Sequence, residues 1–160
     1  MRIIALFCSI LLFLEAKSTE IKFESTTTSW EEARQKAKRE NKMIFFDAYA
    51  TWCGPCKYMD KSVYTDQSVA DYYNKVFINV KMDMEAGEGL KLSEEFEITA
   101  YPTLLFFTPE GKLVHKYIGG MEAEEFLELG ENARDPQWQY YTLKEQAKKN
   151  LLNDELFDRW

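Results

Sequence analysis

Residues 43–57 read Met43-Ile44-Phe45-Phe46-Asp47-Ala48-Tyr49-Ala50-Thr51-Trp52-Cys53-Gly54-Pro55-Cys56-Lys57, and this stretch decides the fold. Its first seven residues are nearly all apolar, as expected of a strand buried on both faces of a sheet. Two cysteines separated by two residues follow, and Pro55 suits the first turn of a helix. The stretch therefore predicts a strand that passes through a cysteine pair into a helix running from Lys57 to about Val63. Cys53 falls at the helix N-terminus, where unsatisfied N–H groups and the helix dipole stabilise a thiolate and lower its pKa. The thiolate is the nucleophile, so Cys53 is the candidate attacking residue. Cys56, one turn further in, is expected to be the more shielded thiol and can close on Cys53. Two other uses of the pair are open. A zinc site needs about four ligands, and only Cys53, Cys56 and the distant His115 are available. A structural disulfide across so short a loop adds little stability. Dithiol redox chemistry is the favoured use.

Upstream, Ser29 with Glu32 three residues on forms a capping-box pattern, which predicts a helix from Trp30 to about Glu40 with Asn41 as its C-terminal cap. Downstream, a helix over about Gln67–Asn74 precedes a second apolar strand, Val76–Met82. Gly87-Glu88-Gly89 marks a loop, and Leu90, Leu92 and Phe96 suggest another helix. Thr103–Phe107 and Leu113–Ile118 flank Pro109-Glu110-Gly111-Lys112, the pattern of a hairpin. Glu122–Leu129 reads as a last core helix. Two strands joined by helical connections imply a parallel pair, and the hairpin adds antiparallel strands. The expectation is a mixed α/β sheet with helices on both faces. Beyond Gly130, Trp138, Tyr141, Leu151, Leu152, Leu156, Phe157 and Trp160 lie among polar residues, which predicts one or two amphipathic helices that pack on the domain or offer a docking surface.

The chain has 160 residues, with 20 Lys+Arg against 27 Asp+Glu and a net charge of -7. That length supports one domain of ordinary size. Hydrophobic residues at 46% and charged residues at 29% exclude disorder, collagen and a polytopic membrane protein. The acidic balance argues against nucleic acid, whose phosphates need clustered Lys and Arg. Arg2, the apolar run Ile3–Leu14 and the small-residue stretch Ala16-Lys17-Ser18 read as a secretory signal peptide over residues 1–18. The run is too short for a membrane span, which needs about 20 residues. Cleavage after Ser18 or Ala16 fits, and an uncleaved N-terminal anchor is the alternative. Cleavage would remove Cys8 and leave Cys53 and Cys56 outside the cytosol, where disulfides persist.

Trp52-Cys53-Gly54-Pro55-Cys56-Lys57 is similar to the active-site motif of the thioredoxins, and the chain resembles that family from about Trp30 to Gly130. Asp47 stands six residues before Cys53, the position of the family's buried acid. Tyr101-Pro102-Thr103 resembles its cis-proline loop, and Gly119-Gly120 falls where members carry a glycine near the substrate groove. The resemblance implies a thioredoxin fold, with a central mixed sheet flanked by helices, over residues 19–130. Residues 131–160 are then a helical extension. It further implies that Cys53 attacks a substrate disulfide, that Cys56 resolves the mixed disulfide as the redox-active pair closes, and that Asp47 accepts the Cys56 proton. Trp52, Gly54, Pro55, Tyr101 and Pro102 would contact the substrate chain. Core packing is the alternative for Trp52 and Tyr101 and a strand-end carboxylate for Asp47, while Lys57 either aids the thiolate or is a solvated helix residue. His115 is expected to be structural or exposed.

Phe46–Cys53, Lys57 and Tyr64-Thr65-Asp66 look most like secreted or periplasmic bacterial members, including the C-terminal domain of transmembrane thiol-disulfide interchange reductases. The acidic Asp83–Gly89 segment and the added C-terminal residues depart from the small cytosolic members. The implied function is a thiol-disulfide oxidoreductase that reduces exported proteins, with no metal or organic cofactor. Its partners would be disulfide-containing proteins and an upstream thiol electron donor such as a membrane reductase. The alternatives are a disulfide oxidase or isomerase, and a non-catalytic binding module on the same fold.

Overall fold

The computed structural model describes residues 19–148. The expected signal peptide with Cys8, and the apolar residues from Leu151 to Trp160, lie outside the described residues. The Ser29 hydroxyl accepts from the Glu32 N–H while the Glu32 carboxylate accepts from the Ser29 N–H, so the capping box forms and starts α1 (Trp30–Glu40). Asn41, at φ 51°, ends that helix in the left-handed conformation. β1 (Met43–Tyr49) leads to α2 (Gly54–Tyr58). The side chain of Asp66 accepts from the N–H groups of Ser68 and Val69 and so caps α3 (Gln67–Val76). β2 (Phe77–Asp83), α4 (Gly89–Glu95), β3 (Thr103–Phe107), β4 (Leu113–Ile118), α5 (Ala123–Arg134) and α6 (Tyr140–Lys148) follow.

The sheet order is β2-β1-β3-β4. β1 pairs parallel with β2 and antiparallel with β3, and β3 pairs antiparallel with β4. This is the thioredoxin-fold mixed sheet expected from the sequence. Side chains alternate along β1, so its residues divide between two cores. Ile44, Phe46 and Ala48 face α1 and α4, where the Trp30 ring centroid lies 4.7 Å from that of Phe107. Phe45 faces α3 and α5, where Tyr73 stacks on Phe126 at 4.3 Å and donates its hydroxyl to the Phe126 carbonyl. Asp47 has the same parity as Phe45 and so belongs to this second face.

Two elements differ from the sequence reading. The helix expected through Val63 is α-helical only to Tyr58, and Met59–Val63 forms a π-turn closed by the Tyr64 N–H donating to the Met59 carbonyl. Met59 and Val63 of this turn are both in the core. The last core helix does not stop near Leu129 but continues to Arg134, because Gly130 and Ala133 are buried on the same face as Phe126 and Leu129. A glycine that reads as a breaker is here the residue that fits: a Cβ on Gly130 would lie 2.7 Å from the Tyr73 hydroxyl.

Gly87 and Gly89 serve the loop after β2 for different reasons. Gly87 has φ +54° with open space around it, whereas a Cβ on Gly89 would stand 1.9 Å from the Asp83 carbonyl oxygen. Gly89→Ala is therefore expected to cost about 3 kcal/mol, the upper end of overpacking costs. Gly87→Ala is expected to cost about 1 kcal/mol, the price of one left-handed non-glycine residue. Urea unfolding of the two variants checks the order.

α6 lies against β4, and His115 joins them. The buried His115 accepts the Tyr140 N–H at Nδ1, at 2.9 Å, on the first residue of α6. Burial holds its pKa down at about 4 against the usual 6.5. A depressed folded-state pKa means the contribution is whole above 6.5 and is lost as pH falls toward 4. The depression corresponds to about 3 kcal/mol. A His115→Asn variant, which keeps an acceptor but does not titrate, is expected to lose this contribution, so that in urea unfolding its stability relative to wild type is higher at pH 4.5 than at pH 7.

Candidate active site

The end of β1 and the start of α2 carry the cysteines. Cys53 is the N-cap of α2, in extended conformation, and Pro55 lies in the first turn. Cys53 and Cys56 form a disulfide with Cα atoms 5.3 Å apart. The Cys56 N–H donates to Cys53 Sγ at 3.1 Å, so the helix terminus directs a backbone donor at that sulfur. The same donor would serve a thiolate there. Both residues are shut away in this oxidised state, with exposures of 2% for Cys53 and 1% for Cys56. The expected difference in shielding between them is therefore not visible in the disulfide form.

Tyr101–Pro102 is a cis peptide bond, and Tyr101 packs on the cluster of Ala50, Cys53 and Cys56. Trp52 is 66% exposed, its ring edge-on to Tyr101 at 5.8 Å, and its Nε1–H donates to Glu85 at 2.8 Å. Gly54 and Pro55 are exposed, whereas Pro102 is buried. The Gly119 N–H donates to the Pro102 carbonyl, and Gly120 lies against Pro55. Trp52, Gly54, Pro55 and Tyr101 thus stand around the disulfide, whereas Pro102 is buried next to Tyr101. Lys57 is exposed on α2, and His115 lies in the β4–α6 contact instead of this surface.

Asp47 is fully buried, and in the parallel register it stands opposite Lys81. Lys81 Nζ is 3.3 Å from the Asp47 carboxylate and also pairs with Asp60, on the π-turn. Burial raises the Asp47 pKa to about 6, and the charge of Lys81 opposes that rise without cancelling it. The Tyr64 hydroxyl is buried beside this carboxylate, and burial pushes its pKa well above the usual value. The sequence reading does not single out Lys81 or Asp60, and it uses Tyr64 only in the family resemblance. Lys81 had a readable signal, as the lone cation in the second apolar strand. Asp60 had none, because it meets Lys81 across 21 positions of sequence.

Among the described residues, no group of three His, Cys, Asp or Glu is placed to hold a metal ion. No described helix is long and apolar enough to cross a membrane.

The thioredoxin family profile matches residues 22–130. A Bacteroides thetaiotaomicron protein solved in solution as a candidate disulphide-isomerase shares 42% identity and a TM-score of 0.65, over 74% of this chain and 96% of that one. Thiol:disulfide interchange protein DsbD of Actinobacillus pleuropneumoniae is 30% identical over 113 residues, 69% of this chain and 19% of that protein. Thioredoxin H2 of Arabidopsis thaliana is 32% identical over 67% of this chain and 74% of its own length. The chain thus spans about one fifth of the DsbD relatives that it matches.

Proposed function

The chain belongs to the thioredoxin family of thiol-disulfide oxidoreductases, and on that premise we propose that it reduces disulfides of exported proteins through Cys53 and Cys56. The observation that carries this reading is the Cys53–Cys56 disulfide at the start of α2, with Tyr101 of the cis-Pro102 loop packed on it and exposed Trp52 edge-on to Tyr101. In the reduced state the Cys53 thiolate attacks one sulfur of a substrate disulfide. A bond forms between Cys53 and that sulfur, and the other substrate sulfur leaves as a thiolate that takes a proton from water. Asp47 then takes the proton of Cys56, whose thiolate attacks Cys53 Sγ. The Cys53–Cys56 bond closes, the second substrate sulfur leaves, and two electrons have passed to the substrate. A carboxyl with a pKa near 6 suits this transfer, since the best proton acceptor has a pKa close to the working pH.

Export is supported by the signal-like residues 1–18 and the DsbD relatives, and an upstream thiol donor would regenerate the dithiol. The direction of electron flow is supported by the Gly54-Pro55 dipeptide. That dipeptide accompanies potentials near roughly -270 mV, against about -120 mV for strong oxidants. Equilibration with glutathione is expected to give a value well below roughly -180 mV. A value above it would overturn the reductase reading and favour the disulfide isomerase role given to the Bacteroides relative.

A further inference from the structure

Beside the disulfide, Pro55, Tyr58, Gly120 and Met121 line a shallow groove with Glu122 on its rim. A second groove begins where the first ends, at Met121, and runs along α5 past Tyr117 and Leu129 with Glu125 and Glu128 on its rim. The shared methionine makes them one channel leading away from the cysteines. Its floor is apolar and its aromatic walls are open to solvent, with Tyr58 exposed by 40% and Tyr117 by 39%. Its charges are of one sign: three carboxylates and no Lys, Arg or His among the lining residues. The nearest cation in sequence to the cysteines, Lys57, lines neither groove.

Two of these carboxylates are held in place. Glu122 accepts the Tyr58 hydroxyl, and Glu125 accepts the Glu122 N–H at 3.0 Å as part of the α5 capping box. Glu128 follows Glu125 by three residues, on the same side of the helix. An apolar floor with a row of negative charge suits a chain that has apolar side chains and Lys or Arg beside its cysteine. Such a segment buries its aliphatic stems on Met121 and Leu129 while its charged ends meet the carboxylates.

We propose that this channel selects disulfides whose flanking sequence is basic, so that Glu122, Glu125 and Glu128 set the substrate specificity of the redox site. The inference rests on the thiol-disulfide reading above and adds the substrate class to it. The test uses two disulfide-linked peptide dimers that are identical except for three Lys or three Glu following the single cysteine. The reduced protein is mixed with each peptide, and released thiol is followed at low and at high salt. At low salt the Lys peptide is expected to react about tenfold faster, within the range of electrostatic steering, and the gap is expected to close at high salt.

The triple variant Glu122→Gln, Glu125→Gln, Glu128→Gln keeps the acceptor oxygens that cap α5 and is expected to bring the two rates together. A control variant with Glu40→Gln, Glu94→Gln and Glu95→Gln changes the net charge equally on α1 and α4 and is expected to keep most of the preference. Equal rates for the two peptides would overturn this inference and leave the oxidoreductase reading standing. So would a preference that survives in the α5 variant or is lost equally in the control. Failure to reduce either peptide would overturn both.

Discussion

Cys53→Ser is expected to abolish reduction of insulin by dithiothreitol-recycled protein, leaving only the uncatalysed rate. Cys56→Ser is expected instead to stop after the first step and accumulate a mixed disulfide. The asymmetry follows from position. Cys53 is the N-cap of α2 and its sulfur receives the Cys56 N–H at 3.1 Å, so it is the sulfur that the helix end favours as a thiolate. A serine at 53 removes the attacking atom. A serine at 56 keeps the backbone N–H that stabilises the Cys53 sulfur but cannot displace the bound substrate. Mass spectrometry of the protein after exposure to an oxidised peptide reads the difference as one added peptide in Cys56→Ser and none in Cys53→Ser. An unaltered insulin rate in Cys53→Ser would overturn the mechanism and favour a binding module. Adduct formation on Cys56 in that variant would reverse the assignment of roles.

Asp47→Asn is expected to make the protein more stable and slower. A carboxyl with a raised folded-state pKa contributes most below its unfolded value, 3.8, and loses that contribution as pH rises through about 6. At pH 7 the ionised form is therefore the costly one, by about 3 kcal/mol for a rise of this size. Asparagine never ionises. Its Lys81 neighbour is not stranded, because Asp60 remains as its partner. The net gain at pH 7 is expected to be about 1–3 kcal/mol, since the Asp47–Lys81 attraction is lost. The release step loses its proton acceptor and is expected to slow about 100-fold at pH 7, the lower end of general-base effects. Single-turnover reduction of a peptide disulfide would show the mixed species persisting.

The stability curve carries a second signature. In the wild type the Asp47 contribution falls between pH 3.8 and about 6 while that of His115 rises between about 4 and 6.5, so the two offset each other. Asp47→Asn removes the falling part. Its unfolding free energy is then expected to climb by about 3 kcal/mol from pH 4 to 7. A variant less stable than wild type at pH 7 would show that Asp47 is held by its pairing with Lys81 more than it is penalised by burial.

What the sequence made legible was what local physics controls. The capping box at Ser29, the left-handed Asn41, the apolar strands and the turn at Pro109-Glu110-Gly111 each act within a few residues, and each formed where its pattern stood. Cys53, Cys56, Asp47 and Pro102 were legible through the family motif. Their immediate partners were not. Lys81 reaches Asp47 only because β2 pairs with β1 in one particular register, and Asp60 reaches Lys81 from the turn that follows α2. Gly130 misled for the same reason: its meaning depends on Tyr73, a residue of α3 distant in sequence. Contacts made between elements decide these positions, and such contacts leave little trace in spacing.

The two outer strands of the sheet, β2 and β4, are each met by a distant part of the chain. Residues 21–24 lie along β2, where Phe23 bridges Asn79 and the Glu24 N–H donates to the Asn79 carbonyl. α6 lies against β4 and is fastened to His115. An exposed strand margin is a template on which another copy can extend the ladder, and here the β2 margin is occupied in part by the protein's own chain while α6 stands beside β4. An oxidoreductase acting on partly unfolded chains, the function proposed above, would thereby be less open to being drawn into their aggregates. Its contact with them is left to the surface around Cys53.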